Sequence, residues 1–187
     1  MGSKQKRILI ALGIFSVLLA GAFYWMGSGN RKLSPGGTAE GSVGNLRVLV
    51  DYSRPSVRGR MIFGPAGQGA VVSYGKYWRL GANAPTSIEF SGDVLFNGSP
   101  VPAGRYRLYA IPGEDAFELV LNSKIGWSGA PEPDYEKDIL RTKVPAGNAA
   151  AFTEQLTLSL VPGDGELVLQ INWDKLELKV PVKPEIN

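Results

Sequence analysis

Three short stretches of this chain stand out as places that could carry chemistry. The first is Tyr52-Ser53-Arg54-Pro55-Ser56-Val57-Arg58-Gly59-Arg60. Guanidinium groups bind oxyanions through paired hydrogen bonds, so Arg54, Arg58 and Arg60 suit a carboxylate, a phosphate or an acidic partner surface. The same spacing suits a turn with solvated charges, one arginine tying a loop to backbone carbonyls. The second is Tyr74-Gly75-Lys76-Tyr77-Trp78-Arg79-Leu80-Gly81-Ala82-Asn83. Exposed, Tyr77 and Trp78 beside Lys76, Arg79 and Asn83 would stack on a sugar or another flat ligand. Buried, Trp78 would be a core anchor between two glycine turns, worth several kcal/mol to a small domain. The third is Ile111-Pro112-Gly113-Glu114-Asp115. Paired carboxylates can do acid–base work, but adjacent ones in a hairpin turn usually face water. Glu89 and Asp93 are the other carboxylates expected in an ordered region.

Composition narrows these options. The sequence has no histidine and no cysteine. Without histidine, the side chain that titrates near neutrality and serves most often as a general base is missing. Ser-His-Asp and Cys-His arrangements, thiolate metal sites, disulfides and a lipidated cysteine are all excluded. A metal site would have to be built from oxygen alone. No catalytic residue, metal site or cofactor is expected. The net charge of +3 is mild and its cations are spread along the chain. A nucleic-acid binder concentrates them in a stripe, so no nucleic-acid partner is expected.

The elements that must position these stretches are strands. Arg47–Ser53 alternates, with Val48, Val50 and Tyr52 on one face. Thr86–Phe90 and Val94–Phe96 follow, and Asn97-Gly98 is a strong hairpin signal. Tyr106, Leu108 and Ala110 alternate with Arg105, Arg107 and Tyr109. Phe117, Leu119 and Leu121 return after a turn at Pro112-Gly113. Three more alternating runs, Leu156–Leu160, Leu167–Ile171 and Leu176–Val180, close the chain. A short helical turn is expected near Asn148–Thr153. About nine short strands with Gly and Pro at their junctions predict an all-β fold, an antiparallel β-sandwich of immunoglobulin-like or jelly-roll-like kind. Lys175, Glu177, Lys179 and Lys183 would suit a charged edge on the last strand.

Four regions are predicted: a cytoplasmic N-terminus over 1–7, a single transmembrane anchor helix over 8–26, a linker over 27–45 and an exported domain over 46–187. Ile8–Met26 carries no charge. A helix of about 19 residues spans about 28 Å, close to the roughly 30 Å of a bilayer's apolar core. Lys4, Lys6 and Arg7 precede it and favour an inside N-terminus, which places the domain in the periplasm of a bacterium's inner membrane. Ala20-Gly21-Ala22 alternatively has the small-x-small form of a signal-peptide cleavage site. Phe23, Tyr24 and Trp25, directly after it, suit an aromatic belt at the outer interface instead. Gly13, Ser16 and Ala20 form a small helix face on which another membrane helix could pack closely. Gly27–Asn45 has linker composition, rich in Gly and Ser.

The chain resembles the bacterial domain-of-unknown-function family 2911. The resemblance rests on Tyr52-Ser53-Arg54-Pro55-Ser56, Gly59-Arg60, Ile62-Phe63-Gly64, Tyr74-Gly75-Lys76, Trp78-Arg79, Gly81-Ala82-Asn83, Pro102-Ala103-Gly104 and Ile111-Pro112-Gly113-Glu114. It continues through Trp127, Tyr135, Asp138, Leu140-Arg141, Ile171 and Trp173. It implies an exported domain and no particular reaction. In the family an acidic residue usually follows Gly-Ala-Asn, and here Ala84-Pro85 stands in its place.

Taken together, these features predict a non-catalytic accessory subunit of a larger membrane complex, for example a photosynthetic or respiratory one. Its partners would be other transmembrane subunits and the lipid bilayer. The alternative is a periplasmic binding module for a carbohydrate or small anion, using Tyr77, Trp78, Arg60 and Arg79. Carboxylate-only hydrolysis by Glu89 and Asp93 ranks third.

Overall fold

The structure, a computed structural model, describes residues 5, 12–19, 21 and 32–185. The chain divides after Leu33 into two compact units. In the first, residues 12–19 form a helix with exposed apolar side chains such as Leu12, Phe15 and Leu18. Ser16 Oγ donates back to the carbonyl of Leu12 at 2.9 Å, and none of the described residues occupies the space beside Gly13. Among the described residues no helix is long and apolar enough to cross a membrane. The spanning helix expected over 8–26 is thus not part of the described fold. Its remaining residues, including Ala20, Phe23, Tyr24 and Trp25, lie outside the described residues.

The second unit is mostly β, with antiparallel sheets. Its strands are β1 (Gly36–Val43), β2 (Leu46–Ser53), β3 (Phe63–Gly64), β4 (Val72–Ser73), β5 (Ser87–Phe90), β6 (Val94–Phe96), β7 (Ser99–Val101), β8 (Gly104–Pro112), β9 (Ala116–Asn122), β10 (Asp138–Pro145), β11 (Gly147–Pro162) and β12 (Leu167–Pro184). A single 3-10 turn, Tyr135–Lys137, precedes β10. One antiparallel sheet runs β1-β2-β5-β8-β9-β10 and another β11-β12-β6-β7, while β3 and β4 make a small parallel pair. Alternation explains the core. Val48 and Val50, Leu108 and Ala110, and Leu119 and Leu121 from the first sheet share one buried cluster with Leu156, Leu158, Leu169 and Ile171 from the second. The Asn97-Gly98 hairpin forms as expected, with both residues at positive φ and Phe96 opposite Ser99. Asn97 Nδ2 also donates to Thr142 Oγ1 at 2.6 Å, joining this hairpin to β10 in the other sheet.

Three expectations are corrected. The linker over 27–45 does not extend through 36–43, which pairs along its whole length with β2 as an edge strand. Two of its glycines, Gly37 and Gly41, are sites of close approach. A Cβ at Gly41 would lie 2.9 Å from Leu160 Cβ, and one at Gly37 would lie 2.7 Å from Arg54 Cδ. The helical turn near Asn148–Thr153 is instead part of β11, whose register against β12 shifts twice there. The last strand is not an edge. β12 lies between β11 and β6, and it merges the two runs expected as separate strands by bending at Asp174, φ +58°.

Candidate functional site

The arginines of the first stretch serve the loop that carries them. Arg54 donates to the carbonyl of Leu156 at 3.3 Å and to Thr157 Oγ1 at 3.1 Å, tying the end of β2 to β11. Arg60 donates to the carbonyls of Val57 at 3.1 Å and Ser56 at 2.6 Å. Arg58 is exposed at positive φ, and its backbone N–H donates to Glu154 Oε1. No hydrogen bond or ion pair among the described residues joins Arg60 with Arg79.

The second stretch splits between two faces. Trp78 forms a bridge to Ala110 and is 4 % exposed. It stacks on Trp173 with ring centroids 5.9 Å apart and meets Phe63 edge-on at 5.2 Å. It therefore offers no free face to a sugar. Tyr77 and Arg79 point the other way, as strand alternation requires. Arg79 packs against Gly129, Lys76 is exposed, and Asn83 donates to the carbonyl of Ser34 at 3.4 Å. Of the residues proposed from sequence, only Tyr77 joins a larger polar cluster.

That cluster covers the non-core face of β8, β9 and β10. Arg107, 4 % exposed, donates to the Tyr77 hydroxyl and to the carbonyl of Pro131 at 3.0 Å. Its guanidinium lies over the Tyr77 ring, 5.3 Å from the centroid. The Tyr109 hydroxyl reaches both oxygens of Asp138. Asp138 also accepts from Asn122 Nδ2 at 2.7 Å and from Arg141 Nη2 at 2.7 Å. Arg141 continues the network to Glu118 Oε2 at 2.8 Å. Burial first, and then the hydrogen bond to Asp138, push the Tyr109 phenol far above its ordinary value. Tyr135 is pushed up to about 12, first by loss of water around its ring and then by its hydrogen bond to Glu132.

The cluster works as a clamp. Residues 123–137 cross this face and are held at intervals. Lys124 N–H bonds Asn122 Oδ1, the Gly129 carbonyl accepts from Tyr77, Pro131 accepts from Arg107, and the Asp134 carbonyl accepts from Asn122. Trp127 sits between the first two ties and is 92 % exposed. Sequence reasoning missed this role, although the signal was present. Arg107 and Tyr109 occupy the face of β8 opposite Leu108, where a buried polar pair needs a cover. The carboxylates of the third stretch, Glu114 and Asp115, line a cleft together with Asp174 and Lys175.

A family model described as protein of unknown function (DUF2911) matches residues 34–182. Its start coincides with the start of the second compact unit. Neither the curated proteins nor the solved structures compared with the chain contain a match.

Proposed function

The chain belongs to the DUF2911 family, and from that premise we propose that it is a non-catalytic, membrane-anchored accessory subunit of a larger bacterial membrane complex. In this reading the apolar segment 8–26 is the anchor, and residues 34–185 form an exported β-sandwich of immunoglobulin-like or jelly-roll-like kind that docks on a partner's periplasmic surface. The sharing of one core by the two sheets supports the sandwich.

Trp127 carries the proposal. An indole left in water forgoes the burial that a large aromatic normally contributes. Here the loop beneath it is tied down on both sides, so little conformational freedom is lost when it docks. Rigid, exposed tryptophans are frequent centres of interfaces, and they seat in apolar pockets of the partner. Asp138, by contrast, has its oxygens engaged by Tyr109, Asn122 and Arg141 and is committed to holding the loop.

Native electrophoresis of the full chain extracted from its own membranes tests the reading. The chain is expected to migrate within a complex, and Trp127→Ala is expected to release it while leaving its melting temperature unchanged. Migration alone as a monomer overturns the docking reading. Release of the chain from membranes by alkaline carbonate overturns the anchor.

A further inference from the structure

The two larger sheets end in four edge strands, β1, β10, β11 and β7. An edge strand offers a row of unpaired N–H and C=O groups, which proteins blunt with bulges, Pro, charged side chains or a covering segment. Three of the four edges are blunted. β7 has three residues with Pro100 in the middle. β10 shifts register between Asp138 and Leu140 and carries Arg141, Lys143 and Pro145. Its Lys143 carbonyl also accepts from Asn97 Nδ2 at 3.2 Å. β11 is covered by the segment that follows β2. Leu156 N–H donates to the carbonyl of Pro55 at 2.9 Å, and Val57 N–H donates to that of Glu154 at 2.7 Å. The Tyr52 hydroxyl meets both backbone groups of Leu158.

β1 has none of these devices. It is eight residues long and pairs with β2 without a register shift. It contains no Pro, Lys or Arg. Its one charge, Glu40, is neutralised by Arg47 at 2.8 Å. Among the described residues no backbone hydrogen bond reaches it from anywhere but β2.

We propose that this edge is an interface, on which β1 pairs antiparallel with the β1 of a second copy of the chain and joins two six-stranded sheets about a twofold axis. Main-chain hydrogen bonds supply the attraction, as in other strand additions. The side chains of the strand supply the choice of partner. A twofold axis sets one residue opposite itself, and residues opposite each other share a face of the sheet. An axis at Ala39 or at Glu40 gives the longest pairing. The Glu40 axis would oppose two like charges, which destabilises a sheet. The Ala39 axis pairs Gly36–Ser42 with itself and sets exposed Thr38 opposite Glu40 of the second copy. On the core-side face it sets Gly37 opposite Gly41 of the second copy, so no bulky side chain meets another. A strand of unrelated sequence would gain the same backbone bonds without this match. The inference is independent of the docking role of Trp127. The Trp127 loop joins β9 to β10, at the opposite end of the sheet from β1.

Thiol crosslinking and sedimentation of the full chain in detergent test it. The chain has no cysteine, so introduced thiols report alone. Residues opposite one another on antiparallel strands have Cα atoms about 4.5–5.5 Å apart, inside the range of roughly 4.4–6.8 Å that a disulfide spans. Thr38→Cys and Glu40→Cys chains, mixed and oxidised, are expected to give a disulfide-linked dimer in about fivefold or greater yield over either variant alone. The chain without substitutions is expected to sediment as a concentration-dependent dimer. Thr38→Lys combined with Glu40→Lys sets lysines opposite one another twice and is expected to weaken association about tenfold. Trp127→Ala is expected to leave association unchanged. A chain that stays monomeric up to about 0.5 mM, a dimer that the lysine pair leaves intact or that Trp127→Ala weakens, or a cysteine mixture that crosslinks no better than its components each overturns the proposal.

Discussion

The Tyr109 hydroxyl lies 2.9 Å from both carboxylate oxygens of Asp138, on the face of the sheet opposite the core. The Asp138 side chain is only 7 % exposed. A buried carboxylate is tolerable only when its lone pairs are occupied, and here Tyr109, Asn122 and Arg141 occupy them. The pair joins β8 to the start of β10. Between β9 and β10 the chain leaves the sheet to form the loop that bears Trp127.

Removing one partner should therefore cost far less than removing the acceptor. Tyr109→Phe leaves Asp138 with its charged donor and is expected to cost about 1–2 kcal/mol. Asp138→Ala strands Arg141, Asn122 and Tyr109 together and is expected to cost about 3–5 kcal/mol. Urea denaturation of the two variants checks the order, which reverses if the Tyr109 contact rather than the carboxylate holds the face together.

Alkaline pH should act on the same face. Folding raises the pKa of Tyr135 to about 12 from an ordinary 10.0, and raises that of Tyr109 further. A raised pKa means that the folded state keeps a proton which the unfolded state gives up. The stabilisation is complete below pH 10 and is lost as pH rises through the folded values. Thermal melts are expected to be insensitive to these groups up to about pH 10, and to fall steadily between 10 and 12. Spectrophotometric titration of Tyr109→Phe should lack the tyrosine that ionises last.

Local signals in the sequence carried most of the strands. Val48 and Val50, Tyr106, Leu108 and Ala110, and Asn97-Gly98 each predict a structure that depends on near neighbours only. What was not legible depends on distant partners. Gly37 and Gly41 read as linker because their purpose, room for Arg54 and Leu160, lies far along the chain. Lys175 and Glu177 alternate like an edge strand, yet the decision to flank β12 with β11 and β6 is a matter of topology. The site suffered the same way. Trp78 could be read as ligand platform or core anchor until Trp173 was placed beside it. Asp138 and Arg141 have no chemical signature until Tyr109 is set opposite them.

The glycines of β1 give a direct check on that explanation. Gly41→Val would force a side chain against Leu160 and Leu167 and is expected to destabilise by about 1–3 kcal/mol through overpacking. Gly36→Ala, on the same strand but with open space beside it, is expected to be neutral within about 0.5 kcal/mol. Equal tolerance of both substitutions in chemical denaturation would mean that β1 does not pack as an edge strand.

The two tryptophans separate stability from interaction most cleanly. Trp78 is enclosed by Phe63, Phe117 and Trp173, and its indole N–H has no acceptor among the described residues. Trp78→Ala should open a cavity costing about 3–5 kcal/mol. Trp78→Phe loses volume but no hydrogen bond, so its cost should be well below that. Trp127 touches water on nearly every side, and Trp127→Ala should change stability by no more than about 0.5 kcal/mol. If Trp127 is the docking residue, its variant folds normally and loses only its place in the complex. Trp78→Ala would lose both together, in proportion to the fraction unfolded. A melting temperature lowered by Trp127→Ala would instead assign that indole to the fold, and would leave the clamped loop without an interaction role.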